Sequence, residues 1–327
     1  MSDRISVDRI TEPVDAVGES PIWREGEAAL YWVDITASRI HRLELASARR
    51  DSWRTPEQIG CIAFDTFGDL IAGMETGMFQ LALKADARVE AVCVAAPDFP
   101  FADMRFNDGR CDRQGRFWAG TMHKNMASAH AVGALYCLHP NLVLSEPVVT
   151  GLVTQNGLAW SPDGRVMYLA DSHPTVRKIW SFDYDIENGR PRNRRLFVDM
   201  NLHPGRPDGA AVDVDGCYWI CANDGGMLHR FTPAGALDRS IPLPVKKPAM
   251  CAFGGAKMDT LFVTSIRPVA AADLADQPDA GAVFALQPGV QGLQEAPFHA
   301  PAAFSATIAR GGKGEVSAIR QPDLTGK

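Results

Sequence analysis

Short apolar segments recur along the chain, each entered by a turn and rich in β-branched or aromatic residues. The six segments are residues 30–33, 70–72, 117–119, 167–169, 218–220 and 261–263. They lie roughly 40 to 50 residues apart, which is the period of a β-propeller blade. The pattern therefore predicts a repeated sheet unit rather than a sequence of unrelated elements.

A second apolar segment precedes each of these at a nearly constant offset. Turn-forming residues separate the two at 65–68, 112–115, 161–164 and 213–216, so each repeat opens with a hairpin. Further strands, such as 133–138, 176–182 and 282–286, complete the repeats, and helical periodicity is weak throughout. We predict an all-β, six-bladed β-propeller of about four strands per blade, forming a single domain over residues 1–327. Residues 5–10 are expected to add a strand to the last blade and close the ring.

One position of the repeat is chemically distinctive. Four residues before the end of each upstream strand the chain carries, in order, Glu19, Gly60, Asn107, Asn156, Asp208 and Ala249. Equivalent positions of a propeller form a ring around its axis, so four blades would direct polar side chains at one central spot. Two carboxylates and two amides are hard oxygen ligands that suit Ca²⁺, Mg²⁺ or Mn²⁺, and such a site also accepts Zn²⁺ or Fe²⁺.

Each of these residues alone has a structural interpretation. Asn156-Gly157 and Asp208-Gly209 are common turn pairs, and Glu19 could cap a turn. Four polar residues at equivalent positions are better explained by a shared ligand, because buried polar groups without partners are costly.

Composition narrows the class of protein. The chain is 46% hydrophobic and 22% charged with a net charge of −6, and its densest basic cluster, Arg190, Arg192, Arg194 and Arg195, is typical of a solvated hairpin turn. We therefore expect no nucleic acid partner. No leader segment or apolar run of membrane-spanning length is visible, which predicts a cytoplasmic protein without a membrane partner. Seven cysteines without a CxxC pair indicate reduced core residues.

Several motifs together resemble a known family. They are residues 18–23 (GESPIW), 105–109 (RFNDG), 115–122 (GRFWAGTM), 156–160 (NGLAW), 207–209 (PDG) and 251–255 (CAFGG). In order and spacing they are similar to the regucalcin (senescence marker protein) and gluconolactonase family. The resemblance implies a six-bladed propeller that acts on a small-molecule sugar lactone. It further implies one divalent ion held by Glu19, Asn156 and Asp208, with sugar contacts from Arg105 and Asn107.

The chain departs from regucalcin after Met122. There, His123, Lys124 and Asn125 stand where regucalcin carries acidic residues near the sugar. His123 and Asn125 are candidate substrate contacts, and a structural role is the alternative for His123. Selectivity therefore cannot be transferred from regucalcin.

These residues suggest a mechanism in which the ion, with Ca²⁺ favoured, acts as a Lewis acid on the lactone carbonyl. Asp208 is the candidate for guiding the attacking water or accepting its proton, and Arg105 and Asn107 would hold the sugar so that loss of Asn107 weakens substrate binding more than metal binding. Two other functions stay open: a calcium-binding regulatory propeller without turnover, and a metal-dependent esterase acting on a non-sugar ester. The sequence leaves the oligomeric state open.

Overall fold

The hairpin repeats form six separate sheets in the structure, a computed structural model that describes residues 5–302. The sheets are antiparallel and four-stranded, and consecutive strands pair within each. The first strands of neighbouring sheets pack against one another in a closed ring. The predicted six-bladed β-propeller is therefore confirmed.

The strands are numbered along the chain, and β1 is Val7–Arg9. Blade 1 contains β2 (Gly18–Arg24), β3 (Ala29–Asp34), β4 (Arg39–Glu44) and β5 (Arg49–Arg54). Blade 2 contains β6 (Ile59–Phe64), β7 (Leu70–Met74), β8 (Met78–Leu83) and β9 (Val89–Ala95). Blade 3 contains β10 (Met104–Cys111), β11 (Phe117–His123), β12 (Gly133–Leu138) and β13 (Val149–Leu152).

The second half of the ring has the same plan. Blade 4 contains β14 (Gln155–Trp160), β15 (Val166–Asp171), β16 (Lys178–Asp185) and β17 (Arg190–Asp199). Blade 5 contains β18 (Arg206–Val212), β19 (Tyr218–Asn223), β20 (Met227–Phe231) and β21 (Leu237–Pro242). Blade 6 contains β22 (Pro248–Gly254), β23 (Thr260–Ser265) and β24 (Phe284–Leu286). Short 3-10 helices lie at Glu25–Glu27, Met126–Ser128, Met200–Leu202 and Ala271–Leu274.

The last blade takes its fourth strand from the start of the chain. Val7 pairs with Leu286 and Arg9 with Phe284, and the N–H of Ile10 donates to the carbonyl of Val283 at 2.9 Å. This closure was predicted from the sequence, and it covers the edge that β24 would otherwise expose.

The core lies between blades rather than at one centre. Each pair of neighbouring blades encloses a cluster of buried side chains, such as Trp32 and Phe262 between blades 1 and 6. Alternate strand residues face opposite sides of a sheet, and because each blade is covered on both faces its second strand, such as β3 or β19, is mostly apolar and buried. This packing fixes the position of every first strand.

The basic cluster lies outside the turn in which it was expected. The turn ends at Gly189, and Arg190, Arg192, Arg194 and Arg195 lie on β17, the exposed edge strand of blade 4. The Arg194 guanidinium stacks over Trp180 at 3.8 Å from the ring centroid. Charged residues on an edge strand oppose pairing with other chains, which explains this placement. No helix within residues 5–302 is long and apolar enough to span a membrane.

Candidate metal centre

The six ring positions lie at irregularities in the first strands. Register shifts with the second strand fall between Glu19 and Ile22, Ile59 and Cys61, Phe106 and Gly109, Asn156 and Ala159, Pro207 and Ala210, and Pro248 and Cys251. A β-bulge of this kind inserts one residue and redirects the local side chains. The repeat therefore places an irregularity at the equivalent position of every blade, and four of the six residues there carry a polar side chain.

Gly157 and Gly209, which follow the ring residues Asn156 and Asp208, belong to these bulges and not to turns. Gly157 has a φ of +61° and lies within β14, and its carbonyl accepts the Tyr218 hydroxyl at 2.7 Å. A Cβ on Gly209 would lie 2.2 Å from Cγ of Met250 in the next blade. The turn interpretation of these two residue pairs is therefore wrong.

Asn107 connects two ring residues and an arginine. Its Nδ2 donates to Oδ1 of Asn156 at 3.1 Å and to the carbonyl of Gln155 at 2.7 Å. Its Oδ1 accepts from Nη1 of Arg105 at 2.7 Å. The structure thus brings Arg105, Asn107 and Asn156 together, and both amide hydrogens of Asn107 are engaged within the protein.

Asp208 is held by side chains of its own blade. Its Oδ2 accepts a hydrogen bond from Nδ2 of Asn223 at 2.6 Å, and Oδ1 of Asn223 accepts from Nη2 of Arg206 at 3.0 Å. Both Asp208 and Asn223 are buried. One oxygen of the Asp208 carboxylate is therefore occupied by the protein.

The carboxyl groups of the channel disfavour one another's ionisation. Burial, followed by the charges of Asp208 and Asp108, raises the pKa of Glu19 well above its usual range. Burial also raises the pKa of Asp208 to about 7 and that of Asp108 to about 6. Burial lowers the pKa of Arg105 to about 10. These shifts follow from desolvated like charges that lack a sufficient counter-charge.

A divalent cation fits this environment. The buried carboxyl groups of Glu19, Asp108 and Asp208 have the guanidinium of Arg105 nearby, whereas Arg110 is paired with Glu295 and Arg206 with Asp224, so the carboxyl groups outnumber the cations that are not already paired. Oδ2 of Asp108 accepts from the N–H of Leu158 at 2.9 Å, whereas its buried Oδ1 has no partner among the described residues. Hard oxygen donors with excess negative charge are what Ca²⁺ and Mg²⁺ require.

The ligand set differs from a site of histidines and cysteines. Within residues 5–302, no group of three or more His, Cys, Asp and Glu side chains is arranged to hold a metal. The ring instead combines the carboxylates of Glu19 and Asp208 with the amides of Asn107 and Asn156. All seven cysteines are free thiols, and Cys93 is the exposed one.

The channel is covered at the end opposite the ring. The segment 287–302 crosses that end, with Gly292 bridged to Asp213 and Phe298 bridged to Asp65. Between these bridges, the Glu295 carboxylate forms an ion pair with Arg110, which also donates to the carbonyl of Ala210 at 2.7 Å. Within residues 5–302, this segment therefore covers the end of the channel that lies away from the ring.

His123 and Asn125 lie at the ring end but outside the ring network. His123 ends β11 and pairs with Met104, beside Arg105, and its Nδ1 accepts the Asn125 N–H at 3.1 Å. The His123 ring contacts those of Phe101 and His130. Within the described chain, neither side chain has a hydrogen bond to Glu19, Asn107, Asn156 or Asp208. Their role as substrate contacts stays a prediction.

Sequence reasoning missed the partners of the ring residues, namely Asp108, Arg206 and Asn223. Counting outward from the β18–β19 hairpin, in which Val212 pairs with Tyr218, places Asn223 opposite Pro207. The bulge shifts the register by one residue, so Asn223 pairs with Arg206 instead. The pair could have been predicted from the sequence only if the bulge had been recognised first.

Fold and site together define a class: a six-bladed propeller whose channel ends in a ring of carboxylate and amide oxygens suited to a divalent cation. The chain belongs to the family described as SMP-30/gluconolactonase/LRE-like, which matches residues 17–267. This confirms the family resemblance seen in the motifs.

Individual relatives agree with this assignment. The chain is 36% identical to a 6-deoxy-6-sulfogluconolactonase of Pseudomonas putida, over 86% of this chain and 94% of that protein. It is 34% identical to an L-arabinolactonase of Azospirillum brasilense, over 87% and 92% of the two chains. The solved structure of a calcium-binding protein, regucalcin, from Agrobacterium tumefaciens superimposes with a TM-score of 0.83 at 23% identity, over 90% and 98% of the chains.

Proposed function

We propose that this protein is a metal-dependent lactonase that opens a sugar lactone to its aldonic acid. The observation that carries the proposal is the ring of four oxygen-bearing side chains, where buried carboxyl groups outnumber the cations that are not already paired. Membership in a family that includes lactonases supports the choice of substrate class.

Glu19, Asn156 and Asp208 would hold the ion. A divalent cation at this place would supply Lewis acidity toward the lactone carbonyl and stabilise negative charge that develops on its oxygen. Ca²⁺ is the favoured ion because all the ligand atoms are carboxylate or amide oxygens.

The chain's own groups would orient the reactants. The Arg105 guanidinium, which donates to Asn107 and to the Phe106 carbonyl, retains further N–H groups that can bind sugar hydroxyls. Asp208 would guide the water that attacks the carbonyl carbon or accept its proton. The new bond joins the water oxygen to the acyl carbon, the ring ester C–O bond breaks, and the ring oxygen takes a proton. The resulting acid ionises and releases one proton for each turnover.

The structure suggests which substrates to compare. The cations near the ring end are largely paired: Lys124 contacts Glu75 and Asp103, and Arg206 and Lys247 contact Asp224. We therefore expect neutral aldonolactones of five and six carbons to be turned over. A 6-sulfonated gluconolactone, named for the Pseudomonas relative, is the informative anionic comparison.

A lactone panel tests the proposal. Proton release is followed with a pH indicator for the metal-stripped protein, with Ca²⁺, Mg²⁺, Mn²⁺ or Zn²⁺ restored, and for Asp208→Ala. Asp183→Ala is the matched control, because exposed Asp183 also accepts a hydrogen bond from an asparagine, Asn193, at 2.7 Å. Turnover that requires metal and is lost only in Asp208→Ala supports the proposal. Tight calcium binding without turnover of any lactone would instead support a calcium-binding regulatory role.

A further inference from the structure

A hydrogen-bonded chain of side chains leads from the surface of blade 5 to the ring. Arg206 donates to Oδ1 of Asn223 at 3.0 Å, and Asn223 donates to Oδ2 of Asp208 at 2.6 Å. Asn223 is 1% exposed, so its amide has little access to solvent. The Arg206 contact also fixes which end of the amide faces Asp208, because a guanidinium can only donate.

Arg206 is itself held by two further groups. Its Nε donates to Oδ2 of Asp224 at 2.6 Å, and its Nη1 donates to the carbonyl of Ser172 at 3.1 Å. Ser172 belongs to blade 4, and its own N–H donates to the carbonyl of Thr154, two residues before Asn156. The arginine thus ties the blade of Asp208 to the blade of Asn156.

The backbone does not fix Asp208 in this way. Asp208 lies within the bulge between Pro207 and Ala210, outside the regular strand pairing. A carboxylate there has two equivalent oxygens and a free rotation about its last bond, which a bound cation must restrict. Side-chain partners that restrict the rotation beforehand increase affinity, as hydrogen-bonded partners of metal ligands generally do.

We propose that Asn223, oriented by Arg206, is a positioning residue that holds Asp208 ready for the cation with one oxygen occupied and the other left for the metal. The inference rests on the proposed function only in taking Asp208 as a metal ligand. Neither Asn223 nor Arg206 would be a ligand of the metal, yet the two together would contribute to the affinity of the site for the cation.

Calcium titration of the metal-stripped protein by calorimetry tests this, with Mn²⁺ in parallel. Asn223→Leu keeps the approximate side-chain volume and removes the donor, and we expect its Ca²⁺ affinity to be about 10- to 100-fold weaker. Asn193→Leu removes the same kind of bond to Asp183 far from the ring and should leave the affinity unchanged. Thermal unfolding of the metal-free variants shows whether each is folded.

The variant Arg206→Lys distinguishes the orienting role of Arg206 from the effect of its positive charge. Lysine keeps the positive charge near Asp208 but cannot hold Asn223, Asp224 and the Ser172 carbonyl together. We expect its Ca²⁺ affinity to fall between those of the wild type and Asn223→Leu. This variant also keeps the test valid if Asn223→Leu does not fold.

The outcomes separate the two claims. Wild-type binding with unchanged affinity in Asn223→Leu and Arg206→Lys overturns the inference and leaves the proposed function intact. Failure of the wild-type chain to bind Ca²⁺ or Mn²⁺ overturns both. A loss in Asn223→Leu that Asn193→Leu does not share supports the positioning role, whether or not any lactone is turned over.

Discussion

Asn107 donates from Nδ2 to Oδ1 of Asn156 across 3.1 Å, joining the ring residues of blades 3 and 4. Oδ1 is the atom through which an asparagine ligates a hard cation, so Asn107 orients a predicted metal ligand as well as contacting Arg105. This changes the expectation that loss of Asn107 weakens substrate binding more than metal binding.

Replacing Asn107 by Ala should therefore weaken both metal and substrate binding. We expect calcium affinity to fall about tenfold because the Asn156 amide loses a fixed partner. The Michaelis constant at saturating metal should rise as well, because Arg105 loses the acceptor that orients it. Calcium titration and lactone kinetics measure the two effects separately. Unchanged calcium affinity would return Asn107 to a role in substrate binding alone.

Metal binding should release protons and strengthen with rising pH. In the metal-free ring, burial raises the pKa of Asp208 to about 7, and burial together with the charge of Asp208 raises the pKa of Glu19 well above its usual range. Both must be ionised to ligate a cation, so protons compete with the metal below about pH 7. Calorimetry in buffers of different ionisation enthalpy should detect this release between pH 6 and 8. A metal affinity that does not change with pH would contradict this prediction.

The raised pKa of Asp208 also predicts how the stability of the metal-free protein depends on pH. A carboxyl group whose folded pKa lies above its unfolded value stabilises the fold at low pH, and this contribution is lost as the pH rises through the folded pKa. For Asp208 the loss falls between its unfolded value, near 3.8, and about 7. Thermal unfolding without metal should therefore show a steeper decline over this range in the wild type than in Asp208→Asn. Parallel pH profiles of the two proteins would count against this pKa assignment.

Gly60 is required where two blades approach each other. A Cβ at this position would lie 2.5 Å from the carbonyl oxygens of both Phe106 and Asn107. Gly60→Ala should lower the free energy of unfolding by about 1 to 3 kcal/mol, since backbone atoms must shift. Gly26→Ala is the control, because Gly26 is exposed and a Cβ added there would have no neighbour within 4 Å. Chemical denaturation compares the two, and equal stabilities would show that the blades can separate without cost.

The ion pair at the covered end should matter for stability. Removing Glu295 leaves the buried Arg110 with the Ala210 carbonyl but without its counter-charge. We expect Glu295→Ala to lower the free energy of unfolding by about 1 to 3 kcal/mol. Asp183→Ala breaks an exposed pair with Arg195 and should have almost no effect. A Glu295→Ala protein as stable as the wild type would show that the segment 287–302 is held by its bridges alone.

The repeat pattern predicted the propeller, its closure by the N-terminal strand and the set of ring residues, because blade positions recur at fixed offsets. It did not predict the bulges, since one inserted residue leaves no signal in the alternation of apolar side chains. The Arg206–Asn223 pair therefore went unrecognised. The contact of Glu295 with Arg110 joins residues far apart in the sequence, and no local pattern records such a contact.

The most direct test of the central claim is to measure lactone turnover of the metal-stripped protein as calcium is added back, beside a calcium titration of the same preparation. We expect one ion per chain, no turnover without it, and half-maximal turnover at the concentration that fills half of the sites. Turnover by the stripped protein, or full occupancy without turnover, would contradict a lactonase built on the ring of Glu19, Asn156 and Asp208.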